Sequence, residues 1–234
     1  VEDRGGSEAP GEGVSPAPPG PGPSREPEEP VEGVQYEPGG AAVEDKAEDH
    51  YRRAEDLRRA GKYEDALREY DAAIGLDPNN PDHHDGKALA LSGLERYDEA
   101  IEEYDAAIGL NPSNPRYHYN KGNALSDLKR YRDALREYDA AIRLNPNNPY
   151  YHKDKAVALS HLKRYEKALR EYDAAIRLDS INPYYHYGKA NVLYLMKRCR
   201  EAIEEINIAL RLDPANTIFS NTLNKIKSSC GESD

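Results

Sequence analysis

A motif that recurs every 34 residues constrains the fold of this chain more than any other feature of its sequence. The motif reads approximately YxxALxEYDAAI, and its first alanine occurs at Ala66, Ala100, Ala134, Ala168 and Ala202. A second small residue follows seven positions later, at Ala73, Ala107, Ala141, Ala175 and Ala209. A large residue lies between the two, at Tyr70, Tyr104, Tyr138, Tyr172 and Ile206. Periods of about 20–50 residues are typical of repeat proteins, whose units stack because one unit alone cannot bury a core.

Each unit is predicted to form two helices. The first helix begins at an Asn-Pro step, because Asn is a good N-cap and Pro at the first helical position loses no hydrogen bond. The prolines of these steps are Pro81, Pro115, Pro149 and Pro183. The second helix carries acidic residues in its first turn, where the helix dipole favours them, and ends before a Leu-Asp-Pro or Leu-Asn-Pro step. The small residues are expected at the helix crossings, since only short side chains let two helices approach closely.

The period and the alternation of small, large and small residues resemble the tetratricopeptide repeat family over residues 47–214. The resemblance implies an all-α fold, a right-handed α-solenoid of five helix-turn-helix repeats. We predict the repeats at 47–80, 81–114, 115–148, 149–182 and 183–214, followed by a capping helix and a short tail at 215–234. An apolar stripe of Ile218, Leu223 and Ile226 indicates the cap. The chain departs from the family pattern at Ser180, at Cys199, and at the fourth position of each unit, which is His where the family often has Trp.

Residues 1–46 differ in composition from the repeats. They hold nine Pro and nine Gly and carry −8 of the net charge of −11. Such a segment cannot bury enough apolar surface to fold, so we predict a disordered acidic tail. The tail is either a plain spacer or a segment that occupies the groove of its own chain. The acidic balance argues against nucleic acid as the main partner.

Location and redox state are predicted from what the sequence lacks. No apolar run approaches the roughly 18 residues of a membrane span, and the N-terminus shows no signal-peptide pattern. We therefore predict no membrane partner and a cytoplasmic location. The chain begins at Val1 rather than Met, which fits a fragment of a longer protein or a non-ATG start. Cys199 and Cys230 lack a CxxC spacing and are predicted to be unpaired thiols in a reducing compartment.

Five histidines recur at the full period, at His50, His84, His118, His152 and His186. We predict packing residues rather than metal ligands. Packed helix axes lie roughly 8–10 Å apart, whereas two imidazoles must each approach one ion to about 2 Å. The lysines three residues later are predicted to lay their stems along the helix seam with the charge in water; they are Lys87, Lys121, Lys155 and Lys189. No phosphate loop or nucleophile motif occurs, so we expect no catalytic residues, no cofactor and no enzyme activity.

The family resemblance also implies that the first helices form a concave groove that grips extended peptides. From the inner-face positions that it implies, we predict a peptide-binding patch of Tyr119, Asn120, Asn123, Lys153, Tyr187, Asn191 and Tyr194. Tyr offers a large contact area with a polar tip, and an Asn amide can bond a peptide N–H and C=O together. Some family members clamp a C-terminal carboxylate with Lys and Asn at the fifth and ninth positions of one unit. No unit here holds that pair, so this subclass is not expected.

The sequence thus predicts a non-catalytic protein–protein interaction scaffold that binds a partner's extended peptide or helix. Two alternatives stay open. The chain is a targeting or regulatory repeat segment of a larger enzyme, which the resemblance allows because such repeats are often fused to catalytic domains. Otherwise it is a structural stack that assembles with itself. The sequence does not identify the partner.

Overall fold

The computed structural model describes residues 39–231, with side chains from residue 43 onward, and these residues form eleven helices joined by short turns. The helices are α1 (Gly39–Arg59), α2 (Tyr63–Leu76), α3 (Pro81–Gly93), α4 (Tyr97–Leu110), α5 (Pro115–Asp127), α6 (Tyr131–Leu144), α7 (Pro149–His161), α8 (Tyr165–Leu178), α9 (Pro183–Leu195), α10 (Cys199–Leu212) and α11 (Thr217–Cys230). Each odd-numbered helix up to α9 packs on the helix that follows it, and each pair packs on the next. The described part is therefore an all-α solenoid of five helix pairs with a capping helix, as predicted.

Four of the first helices begin at the predicted Asn-Pro steps. The side-chain oxygens of Asn80, Asn114, Asn148 and Asn182 each accept a hydrogen bond from the backbone N–H two residues on. Asn216 caps α11 in the same way, accepting from the N–H of Ile218 at 3.1 Å. Asn therefore sets the start of these helices by satisfying an N–H that has no partner within the helix.

The turn inside each pair places one residue in the left-handed region. In the first pair this residue is Gly61, with φ of 73°. In the other four pairs it carries a side chain: Glu95, Lys129, Lys163 and Lys197 have φ between 57° and 62°. A Cβ is strained in this conformation, so these turns depend on the helices that hold them.

The alternating small and large residues lie at the helix crossings, as the sequence predicts. All ten repeated alanines are 0 % exposed, from Ala66 to Ala209. The large residues between them are buried as well, with Tyr70 and Ile206 at 0 % exposed. Each pair shares this core with its neighbours, and the low apolar content of the sequence is sufficient for that reason.

The first helix begins earlier than predicted. The α1 helix starts at Gly39, within the segment assigned to the tail, and Ala47 is already buried. Alanine and charged residues at 41–46 are good helix formers, so they extend α1 beyond the repeat boundary. The rest of the predicted disordered tail lies outside the described residues, and so do the two alternatives of a spacer and of a segment that occupies the groove.

The capping helix buries a different stripe from the predicted one. Phe219 and Ile226 are both 0 % exposed, and Leu223 packs against the same core. Ile218, in contrast, is 55 % exposed. The predicted stripe was one residue out of register at its start, and Phe219 takes the place assigned to Ile218.

The prediction of two unpaired thiols is wrong. Cys199 and Cys230 form a disulfide across a sequence separation of 31, with their Cα atoms 6.2 Å apart. The α11 helix folds back on α10, so the last turn of α11 returns to the first residue of α10. A search for short Cys spacings does not detect a pair that a helical hairpin brings together.

Within residues 39–231, no helix is both long enough and apolar enough to cross a membrane.

Candidate functional site

The first helices line one face of the solenoid. Contacts join α1 to α3, α3 to α5, α5 to α7 and α7 to α9, whereas no comparable contact joins consecutive second helices within the described residues. A stack whose first helices are closer together than its second helices curves towards the first helices. This geometry makes the surface of α3, α5, α7 and α9 the inner face, in agreement with the family resemblance.

In the second and third repeats, polar groups of the inner face are paired with each other. The guanidinium of Arg116 pairs with Asp82 and lies 3.2 Å from Oδ2 of Asp85. The amide of Asn120 donates to Oδ1 of Asp85 at 3.0 Å, and the hydroxyl of Tyr117 donates to Asp82 at 2.9 Å. Burial raises the pKa of Asp85 despite the opposing effects of Asn120 and Arg116. This half of the face is a closed polar network.

Three residues of the predicted patch belong to such intramolecular contacts. Asn120 is bound to Asp85, as above. The hydroxyl of Tyr119 donates to Oδ2 of Asp154 at 2.8 Å, and Asn123 accepts a hydrogen bond from Tyr138 at 2.9 Å. The structure therefore gives these side chains partners within the chain.

A cavity of about 530 Å³ opens between α7 and α9. This volume lies within the range of about 300–1,000 Å³ that is usual for ligand pockets. Its walls come mainly from the first helices of the fourth and fifth repeats: Tyr150, Lys153, Val157, Ser160, His161, Tyr172, Asn182, Tyr184, Tyr185, Tyr187, Gly188, Asn191 and Val192.

Three residues of the predicted patch meet in this cavity, namely Lys153, Tyr187 and Asn191. Tyr194 is not among its walls, and its ring lies under the ammonium groups of Lys197 and Lys225, at 5.7 Å and 5.9 Å from the ring centre. The structure thus does not bring the seven predicted residues together. It gathers three of them and distributes the others along the face.

The predicted patch leaves out Tyr150, Tyr184 and His161, although the inner-face positions that the family resemblance implies include all three. Tyr150 and Tyr184 are 51 % and 54 % exposed, which is unusual for tyrosines in this chain. Both occupy the second position of their unit, where the two preceding units have Asp82 and Arg116. This change from charged to aromatic residues is visible in the sequence and could have identified them. His161 stacks on Tyr131 with ring centres 4.4 Å apart, a contact that the sequence does not reveal.

The floor of the cavity depends on a glycine. A Cβ on Gly188 would lie 2.5 Å from the ring of Tyr172, which is buried against α9. Glycine is therefore required for Tyr172 to reach the cavity wall in its present position.

The capping helix supports the outer wall of the cavity. Phe219 of α11 packs against Tyr184 and Tyr187, with ring centres 5.5 Å and 5.2 Å away. The disulfide fixes the far end of the same helix. The positions of two wall tyrosines thus depend on how firmly α11 is attached.

The repeated histidines form hydrogen bonds with glutamates. In each repeat, Nδ1 of the His lies 2.6–2.7 Å from a Glu of the second helix, as in His84 with Glu103. Burial alone would raise the pKa of Glu103, but hydrogen bonds from His84 and Lys87 outweigh it and hold the pKa below its ordinary value. The hydrogen bond to Glu103 raises the pKa of His84 against the effect of burial. Within the described residues, no group of three or more side chains forms a candidate metal site.

The repeated lysines join neighbouring repeats. Lys155 of α7 lies 2.8 Å from Asp139 of α6 and 2.6 Å from Glu171 of α8. Lys87, Lys121 and Lys189 make the equivalent pairs of contacts. The structural role is as expected, but the ammonium groups are paired with carboxylates rather than left in water.

A sequence profile of the tetratricopeptide repeat family matches residues 51–115, 119–183 and 163–217. These ranges cover more than half of the chain, which therefore belongs to the tetratricopeptide repeat family. Proteins of this family generally act as scaffolds for protein–protein interactions without catalysis. No curated protein matches the sequence.

Solved structures of tetratricopeptide repeat proteins are similar to this chain in fold. YrrB, described as a TPR protein with an unusual peptide-binding site, has a TM-score of 0.66 at 22 % identity, covering 81 % of this chain and 98 % of YrrB. MamA 41-end from Desulfovibrio magneticus RS-1 has a TM-score of 0.69 at 23 % identity, and the match covers 74 % of this chain and 98 % of MamA. PilF from Pseudomonas aeruginosa has a TM-score of 0.69 at 19 % identity, and the match covers 83 % of this chain and 87 % of PilF. At such low identities the likeness establishes the fold.

Proposed function

We propose that this chain is a non-catalytic interaction module that binds an extended segment of a partner protein at the inner face of the fourth and fifth repeats. The observation that carries the proposal is the tyrosine-walled cavity between α7 and α9. It contrasts with the second and third repeats, where Arg116, Asn120 and Tyr117 are paired with aspartates. A partner can contact the cavity without breaking these existing ion pairs and hydrogen bonds.

The cavity suits a peptide for two physical reasons. Its tyrosines offer rigid apolar area at a low cost in side-chain entropy. Its amide Asn191 can pair with a backbone N–H and a C=O group of an extended chain, whereas the oxygen of Asn182 already caps α9. This combination favours recognition of a peptide over that of a flat protein surface.

The proposal is tested with a random peptide library displayed on phage and selected on the full chain. We expect the double variant Tyr187→Ala and Asn191→Ala to bind the selected peptides at least tenfold more weakly than the unchanged chain, a loss of about 1.4 kcal/mol. The matched control is Tyr119→Ala with Asn123→Ala, which changes the same unit positions in the third repeat. Circular dichroism melts check that both variants fold.

Retained binding in the cavity variant, together with loss in the control, would move the site to the third repeat. If no peptide is selected from the library, the proposal that the cavity binds a peptide is contradicted.

The predicted cytoplasmic location loses its support from cysteine chemistry, because disulfides persist mainly in oxidising compartments. Binding of the chain's own tail, self-assembly and fusion to a larger enzyme stay open alternatives.

A further inference from the structure

The cavity is walled by aromatic rings at several depths. Tyr172 and Tyr185 are buried, Tyr187 is partly buried, and Tyr150 and Tyr184 are more than half exposed. Tyr150 meets Tyr185 edge-on, with ring centres 6.4 Å apart at 79°. Aromatic rings attract each other in edge-on and offset arrangements, so a further ring entering the cavity finds partners on more than one wall.

The hydroxyl of Tyr185 is buried and has no acceptor for its proton within the described residues, although the amide of Asn182 lies close enough to act on its oxygen as a donor. Tyr117 holds the same position two repeats earlier, and its hydroxyl donates to Asp82. At the place corresponding to Asp82, the repeat before Tyr185 has Tyr150. Burial raises the pKa of Tyr185 to about 12, so the hydroxyl keeps its proton. A buried polar group is nearly always paired in a folded protein, and Tyr185 therefore points to an acceptor supplied from outside.

The charge of the cavity disfavours a cation. Lys153 is the wall residue with a permanent charge, and the wall contains no Asp or Glu. Its ammonium lies 2.6 Å from Oδ1 of Asp154 and has three donors in all. A basic ligand side chain would meet a like charge and find no carboxylate among the wall residues.

We propose that the cavity takes an uncharged aromatic side chain of a partner peptide, and that a carbonyl oxygen of this peptide accepts the hydrogen bond of Tyr185. The inference rests on the proposed function and adds its specificity. Tyr185 acts as a specificity-determining residue because its hydroxyl gains an acceptor only in the complex. Lys153 excludes basic residues at the same position.

The test uses three acetylated and amidated hexapeptides that differ only in a central Phe, Leu or Lys. Each is titrated into the ¹⁵N-labelled full chain, and the amide of Gly188, a wall residue, reports binding by NMR. We expect the Phe peptide to bind tightest and the Lys peptide weakest. Lys153→Met should narrow the difference between the Leu and Lys peptides.

The variant Tyr185→Phe removes the hydroxyl and leaves the ring. We expect it to weaken the Phe peptide about threefold to tenfold, the effect of one hydrogen bond, without lowering the melting temperature. The matched control Tyr117→Phe removes a hydroxyl that already has its acceptor. It should lower the melting temperature and leave the affinity unchanged.

The outcomes separate the two proposals. Equal affinity of Tyr185→Phe and the unchanged chain, or tighter binding of the Lys peptide, would overturn the specificity while peptide binding stands. The proposed function itself would be overturned if none of the three peptides shifts the Gly188 amide signal and no peptide is selected from the phage library.

Discussion

At the scale of single residues, the same few side chains recur with different partners in different repeats. The fifth position is Tyr119 in one repeat, where it binds Asp154, and Tyr187 in another, where it lines the cavity. The contacts of a side chain are decided by the position opposite to it in the next repeat. Recognition in this chain therefore depends on differences between units that share one backbone.

The His–Glu pairs make stability depend on pH in two directions. The pKa values of Glu103, Glu137, Glu171 and Glu205 are lowered in the folded chain. Their contribution is complete above the ordinary value of 4.5 and is lost as the pH falls through the folded values. The pKa of His84 is raised, so its contribution is complete below 6.5 and is lost as the pH rises through the folded value.

We expect the free energy of unfolding to be greatest between about pH 4.5 and 6.5. Urea titrations from about pH 3 to 8 measure this dependence. Glu103→Gln should flatten the curve and lower stability at about pH 6 by about 1–2 kcal/mol, since it weakens a half-buried ion pair. Glu102→Gln is the control, because Glu102 is exposed beside it. Equal pH profiles for the two variants would contradict the role assigned to the pair.

At the scale of the helix pair, the turn is the weakest part of the design. Four turns hold a charged residue in the left-handed region where the first pair has Gly61. Helices on both sides define the conformation, and the residue adopts it at a cost in backbone strain.

Lys163→Gly should therefore stabilise the chain by about 0.5–1 kcal/mol, because glycine adopts a positive φ without strain. Part of the gain is offset by the greater freedom of glycine in the unfolded chain. The control Lys163→Ala removes the same charge and keeps the Cβ, so it should give no comparable gain. Thermal unfolding of both variants measures the difference, and a stabilised alanine variant would assign the effect to charge.

At the scale of the whole molecule, the C-terminal end differs from the rest of the stack. A solenoid needs a terminal element that covers its last core, and α11 does this with Phe219 and Ile226. The disulfide attaches this helix to α10. Because Phe219 also contacts Tyr184 and Tyr187, the cap and the cavity share a wall.

Reduction of the disulfide should destabilise the chain by about 4 kcal/mol, the value for closing a loop of this length. We also expect weaker binding of the Phe hexapeptide, since α11 then holds the two tyrosines less firmly. Melting curves and peptide titrations with and without a phosphine reductant measure both effects. The double variant Cys199→Ser and Cys230→Ser is the control, because reductant should no longer change it. If reductant leaves the melting temperature of the unsubstituted chain unchanged, the expectation is contradicted.

The fold could be predicted from the sequence because the repeat fixes it five times over. Ala134 and Tyr138 recur in register with their counterparts, and an error in one unit is corrected by the others. The cavity could be predicted only in part. Lys153, Tyr187 and Asn191 follow from their unit positions. The hydrogen bond from Tyr138 that occupies Asn123 depends on contacts between helices, which the sequence does not show. The disulfide escaped prediction because Cys199 and Cys230 each occur once and belong to no repeated pattern.

Every junction from the first repeat to the fifth is closed by a lysine that contacts one carboxylate on each side, as Lys121 contacts Asp105 and Glu137. The same three residue types meet whichever units are neighbours. Recombination between the coding segments of two units would therefore add or remove a block of 34 residues and leave the lysine contacts of the remaining junctions intact. The number of repeats, and with it the length of the inner face, can therefore change by whole units during evolution. The cap and the fifth unit would be inherited as one piece, because Phe219 and the disulfide join them.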